Sequence, residues 1–185
     1  MKKHGIRLLG SLIVTAIAVC CCLTVVHASN YHDVSDNDWH TEAIEYVREV
    51  GLMEGTGNGN FQPDQQLTRA QIVAILHRLA GSPDVGYMGH FQDVPTDVWY
   101  SRPVAWAYEK GIVHGTSGTT FSPSSKITRE QLAVIIYNYL KAEGIELEDA
   151  ENARWRMKDC WSVSYYAEDG VITVSYTHLT LPTIC

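Results

Sequence analysis

The chain has 185 residues, of which 45% are hydrophobic and 19% charged, with a formal net charge of −7. That is long and apolar enough for an ordinary packed core. It is too acidic for a nucleic-acid surface, which would carry a basic stripe, or for electrostatic docking on anionic lipid.

The first segment reads as a leader. Lys2, Lys3 and Arg7 precede an apolar run, Leu8–Val26, with no acid or base. Val26-His27-Ala28 fits a small-residue cleavage site, so residues 1–28 are expected to be a signal peptide. An uncleaved anchor is the competing reading, because the run is long for a signal. Cleavage leaves 11 Lys+Arg against 21 Asp+Glu, a net charge of −10, and no segment held in a membrane. An anionic ligand would then have to be caught by a local site. Three of the five cysteines lie in the leader; Cys160 and Cys185 remain. Two cysteines make no disulfide framework and no metal site of familiar spacing.

Residues 29–82 form a first unit. Thr41–Val50 carries Ala43, Tyr46, Val47 and Val50 at helical spacing. Gly51 is placed to end that helix in the left-handed conformation. A loop, Leu52–Gln66, holds Gly55-Thr56-Gly57 and Phe61-x-Pro63, whose Phe is expected to pin it to the core. Thr68 and Gln71 make a capping box for a second helix. Ile72, Ile75, Leu76 and Leu79 give it an apolar stripe. His77 on that helix reads as a surface or groove residue.

Residues 83–90 form a Gly-containing linker. A second unit, 91–142, then repeats the first: Phe91–Ile136 follows Tyr31–Leu76 at an offset of sixty without a gap. Asp33-Val34 returns as Asp93-Val94, Trp39 as Trp99, Gly51 and Gly55 as Gly111 and Gly115. Phe61-x-Pro63 returns as Phe121-x-Pro123, and Thr68-Arg69-x-Gln71 as Thr128-Arg129-x-Gln131. Ser101 is expected to cap the first helix of this unit, with Pro103 in its first turn. Leu132, Ile135, Ile136 and Tyr139 continue the stripe of the second helix.

A charged linker, 143–156, leads to a partial third unit, 157–173. Met157-Lys158-Asp159 matches Phe91-Gln92-Asp93, and Tyr165-Tyr166 stands where Trp99-Tyr100 stood, at an offset of 66. Ala167–Val171 reads as the start of another first helix. Residues 174–185 resemble a translated sequencing-library adapter and are excluded from fold reasoning; the competing reading is a natural tail, since Val, Tyr, Thr and Leu favour strands. The native chain is expected to run on past Thr173.

A copied unit points to a multivalent binding module or a structural array. The ordered run Phe91-x-Asp93-Val94, Trp99-Tyr100, Gly111-Ile112-Val113-x-Gly115, Phe121-x-Pro123, Ile127-Thr128-Arg129-x-Gln131 closely resembles S-layer homology domains. The first unit departs in having Tyr31 for the leading Phe and His40 for Tyr100. The resemblance covers about Tyr31–Thr173. It implies a mainly α fold of helix-loop-helix repeats, usually three, in a pseudo-threefold helical-bundle arrangement. It implies non-covalent anchoring of an exported protein to the bacterial envelope by secondary cell-wall polysaccharide, often pyruvylated, bound in grooves between units. The family's Thr-Arg motif falls on Thr68-Arg69 and Thr128-Arg129.

The residues lend this some support of their own. Arg69 and Arg129 each open a helix, where a cation opposes the dipole. Helix-start N–H groups plus a guanidinium fork suit a carboxylate. The competing reading is an ion pair with Asp33 or Asp93. Trp106 reads as core, while Trp39 and Trp99 read either as core or as stacking platforms for sugar rings. Gly55 and Gly115 suggest a tight turn with exposed backbone donors, since no Lys-Ser/Thr follows to make a phosphate loop. Asp33, Asp36 and Asp38 lack the spacing of a calcium loop, and Asp33 reads as a turn cap. No histidine pattern, nucleophile elbow or paired catalytic carboxylates stand out. The expected function is anchoring, without catalysis or cofactor in the visible sequence. Ligand contacts are expected from Arg69, Arg129, Thr68, Thr128, Trp39, Trp99, Gly55 and Gly115. The alternatives are the anchoring fragment of a surface hydrolase and a fragment of a structural surface-array subunit.

Overall fold

The computed structural model describes residues 31–86, 89–145 and 162–176. The expected leader, most of the charged linker (146–156), the opening of the third unit (157–161) and the end of the tail (177–185) lie outside the described residues.

The fold is helical. Its helices are α1 (Thr41–Glu49), α2 (Arg69–Leu79), α3 (Ser101–Glu109), α4 (Arg129–Ala142) and α5 (Glu168–Tyr176), the last entered through a 3₁₀ turn, Tyr165–Ala167. Among the described residues there is no strand, only the isolated bridges Gly57 with Asn60 and Thr68 with Lys126. No described helix is long and apolar enough to cross a membrane. The described residues fall into two compact units, 31–46 with 55–63, and 47–54 with 64–176.

In the smaller unit the Asp33 carboxylate accepts the N–H groups of Phe61 and Gln62 at 2.9 and 2.7 Å. These bonds, led by the one from Phe61, hold its pKa below the usual aspartate value. Tyr31 packs on Phe61 with ring centroids 5.3 Å apart. Val34 and Ile44 are buried.

The larger unit alternates helices between repeats. α2, from the first repeat, packs on α3 of the second, and α4 packs on α5 of the third. The buried cluster between them includes Val73, Leu76, Val104, Trp106, Ile112 and Phe121. Gly170 lets α5 approach closely: a Cβ there would lie 3.0 Å from the Val134 backbone. Both capping boxes form, Thr68 with Gln71 and Thr128 with Gln131. Gly111, at φ +69°, ends α3, and the next amide, Ile112, returns to the Ala107 carbonyl at 2.8 Å.

Several local expectations need correction. Ser101 is the first helical residue, not the cap. It is buried, and its hydroxyl donates backwards to the Thr96 and Val98 carbonyls. On α1 the buried apolar residue is Ile44; Ala43, Tyr46 and Val50 are exposed. Leu79 at the end of the α2 stripe is exposed as well. His77 is buried, edge-on to Trp106, with Nε2 2.9 Å from the Pro83 carbonyl oxygen. Apart from these, α5 continues to Tyr176, with Val174 fully buried.

Candidate functional site

The start of α2 is built against the loop of the second repeat. The Arg69 and Ala70 amides donate to the Ser125 and Pro123 carbonyls at 2.9 and 3.0 Å. Ile127 N–H donates to Leu67 O, and Lys126 Nζ to Gln66 O, so equivalent segments of the two repeats lie side by side. The Arg69 side chain is buried. Its Nε donates to Phe121 O at 2.9 Å and its Nη2 to His114 O at 3.1 Å. The guanidinium carbon lies 4.7 Å from the centre of the Phe121 ring. Burial lowers the Arg69 pKa, and the charge of Asp93 opposes that shift. The guanidinium remains charged.

Asp93 grips the same loop from its other side. Its carboxylate accepts Phe121 N–H and Ser122 N–H at 2.8 and 2.7 Å. Phe121 is therefore held by its N–H to an acid and by its C=O to a base. The ion-pair reading of Arg69 takes this indirect form, with the Phe121 backbone between the charges. The helix-start N–H groups expected to meet an anion are donated to carbonyls of the second repeat at this copy.

Arg129, at the equivalent place on α4, is exposed. Its neighbour Glu130 accepts Ser164 N–H at 3.0 Å and the Tyr166 hydroxyl at 3.2 Å. The bonds from Ser164 hold the Glu130 pKa below the usual glutamate value. Burial and this carboxylate push Tyr166 up. The first repeat has Ala70 here, so repetition gave no signal for this latch.

Trp39 is 91% exposed and Trp99 62%, which removes the core reading for both. Each stands edge-on to the next ring in sequence, His40 and Tyr100. Tyr165, the counterpart in the third repeat, is also 91% exposed. Trp106 is core, as expected.

Gly55 and Gly115 are fixed by space. A Cβ on Gly55 would lie 2.6 Å from Asn60 O, at φ +80°, and one on Gly115 would meet Ser117 O, Thr120 O and the Phe91 ring. The amides that follow are not exposed donors. Thr56 N–H donates to Asn60 O at 2.9 Å and Thr116 N–H to Thr120 O at 2.7 Å. Trp39 and Gly55 belong to the smaller unit, while Thr68, Arg69, Trp99, Gly115, Thr128 and Arg129 belong to the larger.

Helix-loop-helix repeats with aromatic side chains exposed at matching positions define a repeat-built module. Residues 30–73 and 90–133 match the S-layer homology domain, two stretches that start 60 residues apart. The chain belongs to the S-layer homology domain family. It is 28% identical to the surface-layer 125 kDa protein of Lysinibacillus sphaericus over 168 residues, 89% of this chain and 14% of that one. It is 33% identical to an amylopullulanase of Thermoanaerobacterium thermosulfurigenes over 105 residues, 57% of this chain and 6% of that one. With an endoglucanase of Bacillus sp. (strain KSM-635) it shares 32% over 148 residues, 78% and 15% of the two chains. The chain thus spans a small part of each relative's length. The family is an anchoring module rather than a catalytic one, and the enzyme names refer to other domains of those proteins. It places the chain among secreted proteins of the cell surface and cell wall.

Proposed function

We propose that the chain anchors by binding an anionic secondary cell-wall polysaccharide, its repeats supplying weak sites that add by avidity. The observation that carries this reading is the exposed tryptophan at one position in both matched repeats, Trp39 and Trp99. An indole left in water at a repeated position suits the apolar face of a sugar ring. Arg129 supplies the charge for an acidic substituent, with Thr128 fixing the start of its helix. Arg69 and Thr68 act at the other copy mainly by shaping the Gly115 loop, whose His114 and Phe121 carbonyls Arg69 holds. Gly55 and Gly115 keep the loops tight.

The test is binding of the full chain to purified wall polymer, compared for wild type, Trp99→Ala and Arg129→Lys. Weaker binding by both variants is expected, since lysine keeps the charge but loses the fork. Binding equal to wild type by both would end the assignment. The relatives carry the module on glycoside hydrolases and on surface-layer proteins alike. Both a hydrolase and an array subunit therefore stand as readings of the cargo.

A further inference from the structure

The loop of the first repeat holds the chain's single Asn-Gly pair, Asn58-Gly59. Gly57 and Asn60 bridge around it, with Asn60 N–H donating to Gly57 O at 3.0 Å. Asn58 and Gly59 lie at φ +52° and +73°, the pattern of a type I′ turn, which Asn-Gly favours. Both are exposed. Among the described residues the Gly59 N–H has no hydrogen-bond acceptor. His32 is seated on this turn. Its N–H donates to Gly59 O at 2.7 Å, and its ring fills the space a Gly59 side chain would need. An ideal Cβ there would lie 3.0 Å from Cε1 and 3.2 Å from each ring nitrogen.

We propose that Asn58-Gly59 is a spontaneous deamidation site, with the His32 imidazole as the base beside it. Asparagine is among the thermolabile side chains, and glycine after it offers no Cβ to shield the attacking amide. The His32 imidazole takes the Gly59 N–H proton. The Gly59 nitrogen attacks Asn58 Cγ, the new N–Cγ bond closes a succinimide, and the Cγ–Nδ2 bond breaks as the imidazolium returns its proton to Nδ2, which leaves as ammonia. Water then opens the ring at either carbonyl, leaving aspartate or isoaspartate. A neutral amide becomes a carboxylate, so the loop that carries Gly55 gains one negative charge. Isoaspartate also lengthens the backbone within the turn, which the adjacent Thr56 to Asn60 bond cannot follow without shifting. The second repeat has Ser117-Gly118-Thr119 at this place and so lacks the reacting side chain.

The test is ageing of the purified full chain at physiological temperature in mildly alkaline buffer. Isoelectric focusing is followed by isoaspartyl methyltransferase labelling of a peptide digest. The expected result is one acidic step, with label in the peptide holding Asn58. None is expected in the peptide holding Asn138, whose amide is bonded to Ile112 O. His32→Ala, an exposed change, is expected to slow conversion at least roughly threefold, a small share of what a positioned general base can supply. An unchanged Asn58 in the folded chain, while a free peptide of the same loop deamidates, would overturn the site. An equal rate in His32→Ala would overturn the role of the base.

Discussion

Arg69 and Phe121 are joined across 52 residues, guanidinium to carbonyl at 2.9 Å and guanidinium over ring at 4.7 Å. One repeat thereby orders the loop of the next. Asp93 completes the grip by accepting the Phe121 and Ser122 amides. The arrangement gives the proposed binding motif a part in stability, and the two roles separate by experiment.

Arg69→Lys should destabilise the fold by about 2 kcal/mol, because a buried charged donor loses its fork and two carbonyls lose their partner. Arg129→Lys, on an exposed residue, should change stability by less than about 0.5 kcal/mol. Urea unfolding of both variants checks this. Equal midpoints for the two would show that Arg69 does not join the repeats.

Asp93→Asn should cost about 1–2 kcal/mol, since the amide presents one acceptor oxygen where the carboxylate presents two. Asp33→Asn should act in the same direction on the smaller unit. Thermal melts report the first; hydrogen exchange at Phe61 and Gln62 reports the second. Unchanged protection at those amides in Asp33→Asn would show that the carboxylate is not holding them.

Gly115→Ala should destabilise by roughly 1–3 kcal/mol, as overpacking does. A methyl group there meets Thr120 O at 2.5 Å and the Phe91 ring at 2.8 Å. Gly118→Ala, with nothing within reach of its Cβ, is the control. A melt in which the two variants behave alike would refute the steric reading.

The Glu130 latch has a pH signature. Its folded pKa is depressed, chiefly by the Ser164 amide. Its contribution is therefore fully present above the unfolded glutamate value and disappears as pH falls through the lower folded value. Docking of the Tyr165–Tyr176 segment should loosen in that acidic window, and Glu130→Gln should abolish the dependence. Exchange protection of α5, followed against pH, measures it. Identical profiles for wild type and variant would exclude Glu130 as the cause.

Much of the fold was legible because it is local. The capping boxes at Thr68 and Thr128 and the glycine stop at Gly111 need only neighbours in sequence, and all are present. The stripes were less secure. Tyr46 and Trp106 occupy the same place in the repeat, yet one is 63% exposed and the other 1%. Periodicity names a face, whereas burial depends on which helix covers it. Trp106 is covered because α2 packs on α3. Arg69 was the hardest to read, because its two acceptors lie 45 and 52 residues away and are backbone atoms, which leave no mark in side-chain identity. Ser101 looked like a cap by residue type, but its hydroxyl turns back to the preceding loop. The latch at Glu130 has no counterpart at Ala70, so comparing the repeats could not reveal it.

Loss of Trp39 or Trp99 should leave stability within about 0.5 kcal/mol, both being exposed. Each loss should weaken the proposed sugar binding roughly tenfold, or about 1.4 kcal/mol. Titration with wall polymer fragments checks the second figure. Unaltered affinity in the double variant would remove stacking from the proposal.

Anchoring through a wall-borne glycopolymer can be measured as co-sedimentation of the full chain with purified wall sacculi. The chain is expected to pellet with intact sacculi and to stay in solution once the secondary polymer has been stripped from them. Equal pelleting with stripped and intact sacculi, or none with either, would contradict it.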